Sequence, residues 1–133
     1  MGLECRYDGG TEKDEDLLAS LRGINLLPFC PEQMGGLPTP RPRAEITGGD
    51  GHDVLARRAR IVNEHGEDVT EPFIRGAMES MKLVRLFNTT KAYLKGKSPS
   101  CGLGTIFRNG RQVKGDGVCA ALLSQNGVNI TCV

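Results

Sequence analysis

The strongest constraint on the fold is an apolar stripe at helical spacing in the middle of the chain. Apolar residues recur there three or four positions apart: Phe73, Ala77, Met81 and Val84. This spacing predicts one face of an amphipathic helix. Thr70 is a residue type that caps helices, and Pro72 is tolerated in a first helical turn. The pattern therefore predicts a helix from Thr70 to about Phe87.

Shorter patterns on both sides of this stripe predict further helices and strands in alternation. Helices are expected around residues 17–21 and 117–125, and strands at 24–29, 54–62, 91–95, 105–107 and 128–133. Residues 34–52 are rich in glycine and proline, which predicts a long surface loop. The alternation favours an α/β fold: a single domain over residues 1–133 with a mostly parallel sheet flanked by helices. Ligands of such sheets bind at the carboxyl ends of strands.

Composition excludes several classes of function. The chain has 133 residues, carries 17 Lys and Arg against 16 Asp and Glu, and contains 5% aromatic residues with no Trp. A near-neutral, aromatic-poor chain is poorly suited to binding nucleic acid. No apolar run approaches the roughly 20 residues that a membrane span needs, and no cationic stretch followed by an apolar one suggests export. We expect a cytoplasmic protein that does not insert into membranes.

The five cysteines do not form a local metal-binding motif. They stand at positions 5, 30, 101, 119 and 132, without a C-x-x-C pair. An odd number of cysteines in a chain without an export signal argues against a disulfide framework. If cysteines bind metal here, the fold must bring distant loops together.

Two cysteine-containing turns follow predicted strands. The first is Cys30-Pro31-Glu32, and the second runs from Ser98 to Gly102 with the sequence SPSCG. A thiolate and a carboxylate in one pocket would serve metal binding and proton transfer. Considered alone, the second segment is explained equally well as a proline-containing turn with an incidental buried cysteine, and Glu32 in the first as a solvated loop carboxylate.

Several motifs together resemble the thiouracil desulfidase family, long catalogued as a bacterial domain of unknown function. In chain order they are CRYDG at 5–9, CPE at 30–32, GGLPTPR at 35–41, DVT at 68–70, and LK at 94–95 leading into SPSCG at 98–102. The resemblance implies an α/β domain in which three cysteines hold a 4Fe-4S cluster. One iron would stay open for the sulfur of a thiolated nucleobase, which leaves without net redox change.

Carried over motif by motif, the resemblance assigns roles to individual residues. Cys30 and Cys101 would be cluster ligands, Glu32 the acid-base residue, and Ser98 or Ser100 a catalytic hydroxyl. Substrate contacts are expected from a second set of side chains: Arg6, Asp8 and Arg41.

The third ligand departs from the family pattern. In the family, a first ligand cysteine lies in an N-terminal strand just ahead of the Arg-Tyr-Asp-Gly motif, whereas here Met1 and Gly2 align with the end of that pattern. The resemblance places this ligand ahead of Met1, so either translation starts further upstream or the chain is a shortened form. Cys5 is the substitute within the chain, although its motif position is not the usual one.

Two hypotheses about function follow. The first is an iron-sulfur-dependent, non-redox desulfidase acting on a small thiouracil-like compound. The alternative is a non-catalytic domain that binds a small molecule or anion through Arg6, Arg41 and the glycine-rich loops, without a cluster.

Overall fold

Five helices and six strands alternate along the chain in the computed structural model, which describes residues 1–133. The helices are α1 (Glu15–Ser20), α2 (Pro31–Met34), α3 (Gly51–Leu55), α4 (Thr70–Leu86) and α5 (Val118–Gln125). The strands are β1 (Ala44–Thr47), β2 (Arg60–Asn63), β3 (Lys91–Leu94), β4 (Thr105–Arg108), β5 (Arg111–Lys114) and β6 (Asn129–Cys132). None of the helices has the length and apolar content that crossing a bilayer requires.

Helix α4 confirms the predicted amphipathic helix. Phe73, Ala77 and Met81 are buried along one face, where they join the hydrophobic core. Thr70 is the first helical residue rather than the cap, because its hydroxyl accepts a hydrogen bond from the backbone N–H of Ile61 at 2.9 Å. This bond attaches the start of α4 to β2 at a buried position.

The strands pair in three separate two-stranded sheets. Strands β3 and β6 are parallel, whereas β1–β2 and β4–β5 are antiparallel pairs. The α/β class is therefore confirmed, with helix α5 leading into the parallel strand β6. The parallel arrangement is limited to this one pair. One cluster of sixteen buried residues, drawn mainly from α4, α5 and the strand faces, forms the core beneath the sheets.

The strand predicted at 24–29 is wrong. None of the backbone N–H groups from Asn25 to Phe29 donates a hydrogen bond. The side chains of Ile24, Leu26 and Leu27 are exposed, and only Phe29 packs against the core. A strand exists only when a neighbouring strand satisfies its backbone groups. The apolar run has no such neighbour and is irregular.

The loop predicted at 34–52 is wrong in part, because it contains regular structure. Strand β1 and the start of α3 lie within it, and Asp50 and Asp53 form a reciprocal cap at the start of α3. The strand favoured at 54–62 is replaced by the end of α3 and the beginning of β2. The helices at 17–21 and 117–125 and the strands at 91–95, 105–107 and 128–133 match α1, α5, β3, β4 and β6.

Candidate functional site

The Cys30 turn is held against α4 by a close approach between two glycines. Cys30 precedes α2, and Pro31 occupies the first position of that helix. A Cβ atom added at Gly35 would lie 1.9 Å from the carbonyl oxygen of Pro72, and one at Gly76 would lie 1.8 Å from that of Pro31. No side chain fits at either position. The glycines at positions 35 and 76 therefore let α2 lie directly on α4 and fix the Cys30 turn.

Glu32 and Arg41 form a buried ion pair beside this turn. Arg41 Nε donates to Glu32 Oε2 at 2.6 Å, and the two side chains are only 5% and 16% exposed. Arg41 Nη2 donates to the carbonyl oxygen of Cys5 at 3.0 Å, and the Cys30 thiol donates to the same oxygen at 3.8 Å. The CRYDG, CPE and GGLPTPR motifs therefore meet at one place.

The Cys101 turn is fixed by α5 instead. The first backbone N–H groups of α5, those of Val118 and Cys119, donate to the carbonyl oxygens of Pro99 and Ser100 at 2.9 and 2.8 Å. A Cβ added at Gly117 would lie 2.5 Å from the backbone of Ser100. These contacts fix the turn at the start of the helix. They also occupy backbone N–H groups that could otherwise bind an anion.

The two serines of this turn have different surroundings. Ser98 Oγ accepts hydrogen bonds from the backbone N–H groups of Ser100 and Cys101 at 3.0 and 3.1 Å, which shapes the turn. Ser100 is 1% exposed, and its hydroxyl is the one buried side-chain polar atom without a hydrogen-bond partner. Burying an unpaired hydroxyl costs free energy, so a partner supplied by a bound group would be favourable.

The pKa shifts of the cysteines show that groups from the two cysteine turns lie near one another. Burial raises the pKa of the Cys101 thiol well above its ordinary value, and the neighbouring Cys119, Glu32 and Cys30 raise it further. The pKa of Cys5 is raised by burial and by Cys30, with Arg41 acting in the opposite direction. Cys30, Cys101 and Glu32 thus lie within interaction range of one another, with Cys5 beside Cys30.

Arg6 and Asp8 lie at the same end of the molecule but pair with each other. Arg6 Nε and Nη2 donate to the two Asp8 oxygens at 3.0 and 2.8 Å, and Arg6 Nη1 donates to Glu12 at 3.1 Å. The bond from Arg6 holds the pKa of Asp8 far below its usual range. Lys95, which also forms an ion pair with Glu12, has its pKa lowered by burial and then by Arg6.

Comparison with known proteins identifies relatives of this chain. A sequence profile described as 2-thiouracil desulfurase matches residues 1–133. The chain belongs to the 2-thiouracil desulfurase family. It is 42% identical over 132 residues to the uncharacterized protein YbbK of Bacillus subtilis (strain 168), across 97% of this chain and 87% of YbbK.

A solved structure gives the same result for the fold. The 4Fe-4S-dependent thiouracil desulfidase TudS matches with a TM-score of 0.85 and 38% identity, over 98% of this chain and 83% of the TudS chain. This likeness agrees with the order of the motifs along the sequence. It also confirms the α/β fold expected from the resemblance.

The donor set consists of thiols, the side chains that usually bind iron-sulfur clusters. No three His, Cys, Asp or Glu side chains converge closely enough to hold one ion. Iron-sulfur clusters are wider than one ion and are bound by thiolates, so their ligands need not converge on one point. Cys30, Cys101 and Cys5 offer thiols at one end of the fold, where the unpaired Ser100 hydroxyl also lies. The two remaining cysteines differ, since Cys119 is buried in α5 and Cys132 is exposed on β6.

One pairing and one residue of this site were not predicted from the sequence. The pairing of Arg41 with Glu32 depends on how the proline-rich loop folds back on α2, and only the shared resemblance motifs hinted at their proximity. Lys95 follows β3 directly, and its place at the carboxyl end of a parallel strand was the available signal. The roles expected for Arg6, Asp8 and Arg41 in substrate binding stay predictions.

Proposed function

We propose that this protein removes sulfur from a small thiouracil-like compound in an iron-sulfur-dependent reaction without net redox change. The observation that carries the proposal is that Glu32 and Cys30, which are distant from Cys101 in sequence, lie near enough to it in the fold to raise the pKa of its thiol. Membership of the 2-thiouracil desulfurase family and the likeness to TudS support the same activity.

Cys30 and Cys101 are the residues that would hold a 4Fe-4S cluster, and Cys5 is the further thiol next to Cys30. When bound, such a cluster would supply a Lewis-acidic iron, which accepts an electron pair from the sulfur of a thiocarbonyl without being reduced. Thiol ligands must lose their protons when they bind metal. Burial raises the pKa of Cys101 and of Cys5, so these thiols carry their protons at neutral pH until metal displaces them.

The overall reaction exchanges a sulfur atom for an oxygen atom. Water adds to the thiocarbonyl carbon, the C–S bond breaks, a C=O bond forms, and the two protons of water leave with sulfur as hydrogen sulfide. We assign to Glu32 the role of accepting a proton from the water. Its Oε2 is bound by Arg41, whereas its Oε1 has no hydrogen-bond partner in the protein. A general base must lie within hydrogen-bond reach of the proton that it removes.

The serines of the Cys101 turn would orient the bound molecule. Ser100 Oγ has no partner in the protein and is free to bond with a ligand atom. Ser98 Oγ accepts two backbone N–H groups, which leaves its own proton available for donation. We expect Ser100→Ala to change activity without disturbing the turn, and Ser98→Ala to disturb the turn itself.

The direct test is anaerobic reconstitution with iron and sulfide, followed by an assay of uracil and sulfide formed from thiouracil. We expect turnover by the wild-type protein and loss of turnover in Glu32→Gln with the visible absorption of the cluster retained. Cys132→Ala is the matched control, because Cys132 is exposed and lies outside the group formed by Cys5, Cys30 and Cys101.

Two results would contradict the proposal. If wild-type protein takes up iron and sulfide but releases no sulfide from thiouracil, the protein lacks the proposed desulfidase activity. Wild-type protein that takes up no iron, yet binds uracil or thiouracil, would instead support the alternative of a non-catalytic binding domain. Full activity in Glu32→Gln would exclude Glu32 as the base.

A further inference from the structure

The guanidinium of Arg41 is committed to the protein rather than open to a ligand. It is 5% exposed, and its four hydrogen bonds reach the Glu32 carboxylate, the Cys5 carbonyl, the Pro38 carbonyl and the Thr39 hydroxyl. A guanidinium has five N–H donors in a fixed planar arrangement. Nearly all of this capacity is used inside the protein, which leaves little for a substrate.

These bonds connect three segments of the chain. Glu32 belongs to α2, Cys5 to the N-terminal segment, and Thr39 to the proline-rich loop. The backbone N–H of Arg41 also donates to the carbonyl oxygen of Tyr7 at 2.7 Å, which ties the loop to the N-terminal segment a second time. The Cys5 carbonyl accepts hydrogen bonds from both Arg41 and the Cys30 thiol. Arg41 therefore influences where the Glu32 carboxylate lies relative to the Cys30 thiol.

We propose that Arg41 is a positioning residue for the reaction and does not contact the substrate. It holds Oε2 of Glu32, so that Oε1 alone faces the reacting water, and in the protein without iron it also holds the Cys5 carbonyl to which the Cys30 thiol donates. The catalytic role of Arg41 rests on the proposed function. The clamp by which Arg41 joins Glu32 to the N-terminal segment rests only on the hydrogen bonds described above.

The physical reason is the burial of the pair. Removing one partner from a buried ion pair leaves the other charged and unsolvated, so the remaining group moves toward water. Glu32 without Arg41 would therefore leave its position beside the cysteine turns. Misplacement of a catalytic group by about 1 Å lowers the rate by about 100-fold, even when the substituted residue never meets the substrate.

The test compares Arg41→Met and Arg41→Lys with the matched control Arg43→Met. Arg43 lies two residues away and carries the same charge, but its side chain stacks on the ring of Tyr7 at 5.0 Å and makes no ion pair. In reconstituted enzyme we expect Arg41→Met to lower kcat about 100-fold and to change KM by less than about threefold. Arg41→Lys should recover part of the rate, because an ammonium keeps the charge but reaches fewer partners.

Two measurements on the protein without iron test the clamp independently of desulfidase activity. In a double-mutant cycle of Arg41→Met with Glu32→Gln, the decreases in Tm should be clearly non-additive, because each change alone breaks the same pair. Alkylation of Cys30, followed by peptide mapping, should be faster in Arg41→Met than in Arg43→Met. If Arg41→Met does not fold, Arg41→Lys carries the same measurements.

The outcomes separate the two proposals. A rise in KM with unchanged kcat would show that Arg41 binds substrate and would overturn the inference. Additive decreases in Tm, or a response of Arg41→Met equal to that of Arg43→Met, would overturn the clamp. Wild-type protein without desulfidase activity would refute the proposed function, whereas the double-mutant cycle and the alkylation rates would still decide the clamp.

Discussion

The two cysteine turns are anchored in opposite ways. The turn containing Cys101 follows a paired strand, β3, and its carbonyl groups cap a buried helix, α5. The turn containing Cys30 follows an apolar segment, residues 24–29, that pairs with no strand, and it is held from the other side by α4 and by Arg41. The first turn is thus part of the core framework, whereas the second depends on a few specific contacts.

An apolar run in the sequence is therefore not sufficient to form a buried strand or helix. Leu27 and Leu123 are the same residue type in apolar surroundings along the chain, yet Leu27 is 41% exposed and Leu123 is fully buried. The hydrophobic contribution to stability follows the area removed from water. Substitutions in the two regions should therefore differ strongly in their effect.

The largest expected difference concerns these two leucines. Leu123→Ala should lower the free energy of unfolding by about 3 kcal/mol, because it removes buried methyl groups and leaves a cavity. Leu27→Ala should change it by less than about 0.5 kcal/mol, as exposed substitutions do. Urea unfolding of both variants checks this. A loss of similar size in Leu27→Ala would mean that residues 24–29 are packed in solution.

The next effect concerns the contact that holds the Cys30 turn. Gly76→Ala places a Cβ against the Pro31 carbonyl, and we expect a net loss of about 2 kcal/mol. The gain of about 1 kcal/mol in helix propensity does not offset this overlap. Met78→Ala, at an exposed position of the same helix, is the control.

The same variant, Gly76→Ala, tests whether the two cysteine turns are anchored independently. Alkylation of Cys30 should become faster in Gly76→Ala, while that of Cys101 should stay as in the wild type. Equal acceleration at both cysteines would show that the turns are not anchored independently.

The last expected effect is absent at neutral pH and appears only in alkaline solution, as destabilisation through Cys119, behind the Cys101 turn. Burial raises the pKa of this thiol from 9.0 to about 12. Between these values the folded state binds a proton that the unfolded state has lost, so stability is complete below pH 9 and decreases as pH rises toward 12. One such group gives a slope of about 1.4 kcal/mol per pH unit.

Unfolding measured across this pH range checks the contribution of Cys119. Cys119→Ala should show a shallower decrease than the wild type, while Cys132→Ala, which alters an exposed thiol, should keep the wild-type slope. An unchanged slope in Cys119→Ala would contradict the assignment.

The sequence was informative where a pattern is local. The stripe of Phe73, Ala77 and Met81 predicted α4 because helical periodicity is contained in the segment itself. The Asn109-Gly110 pair is likewise typical of a hairpin turn because both residues accept positive φ, and they adopt φ values of 51° and 69° between β4 and β5. Strand β5, which follows that turn, was missed because its four residues carry little apolar character.

Predictions that depend on partners were less accurate. Residues 24–29 look like a strand in sequence, but pairing is a property of the neighbour. Strand β1 lies inside a glycine- and proline-rich stretch and exists because β2 pairs with it. For the site, family motifs identified Cys30, Glu32 and Cys101, whereas the Arg41–Glu32 bond requires the folded loop between them.

The most direct test of the account is the iron content of the anaerobically reconstituted protein and its cysteine variants. We expect about four iron atoms per wild-type chain, a matching value for Cys132→Ala, and loss of iron in Cys30→Ala and in Cys101→Ala. Wild-type iron content in either of the last two variants would contradict the claim that the two cysteine turns together hold the cluster.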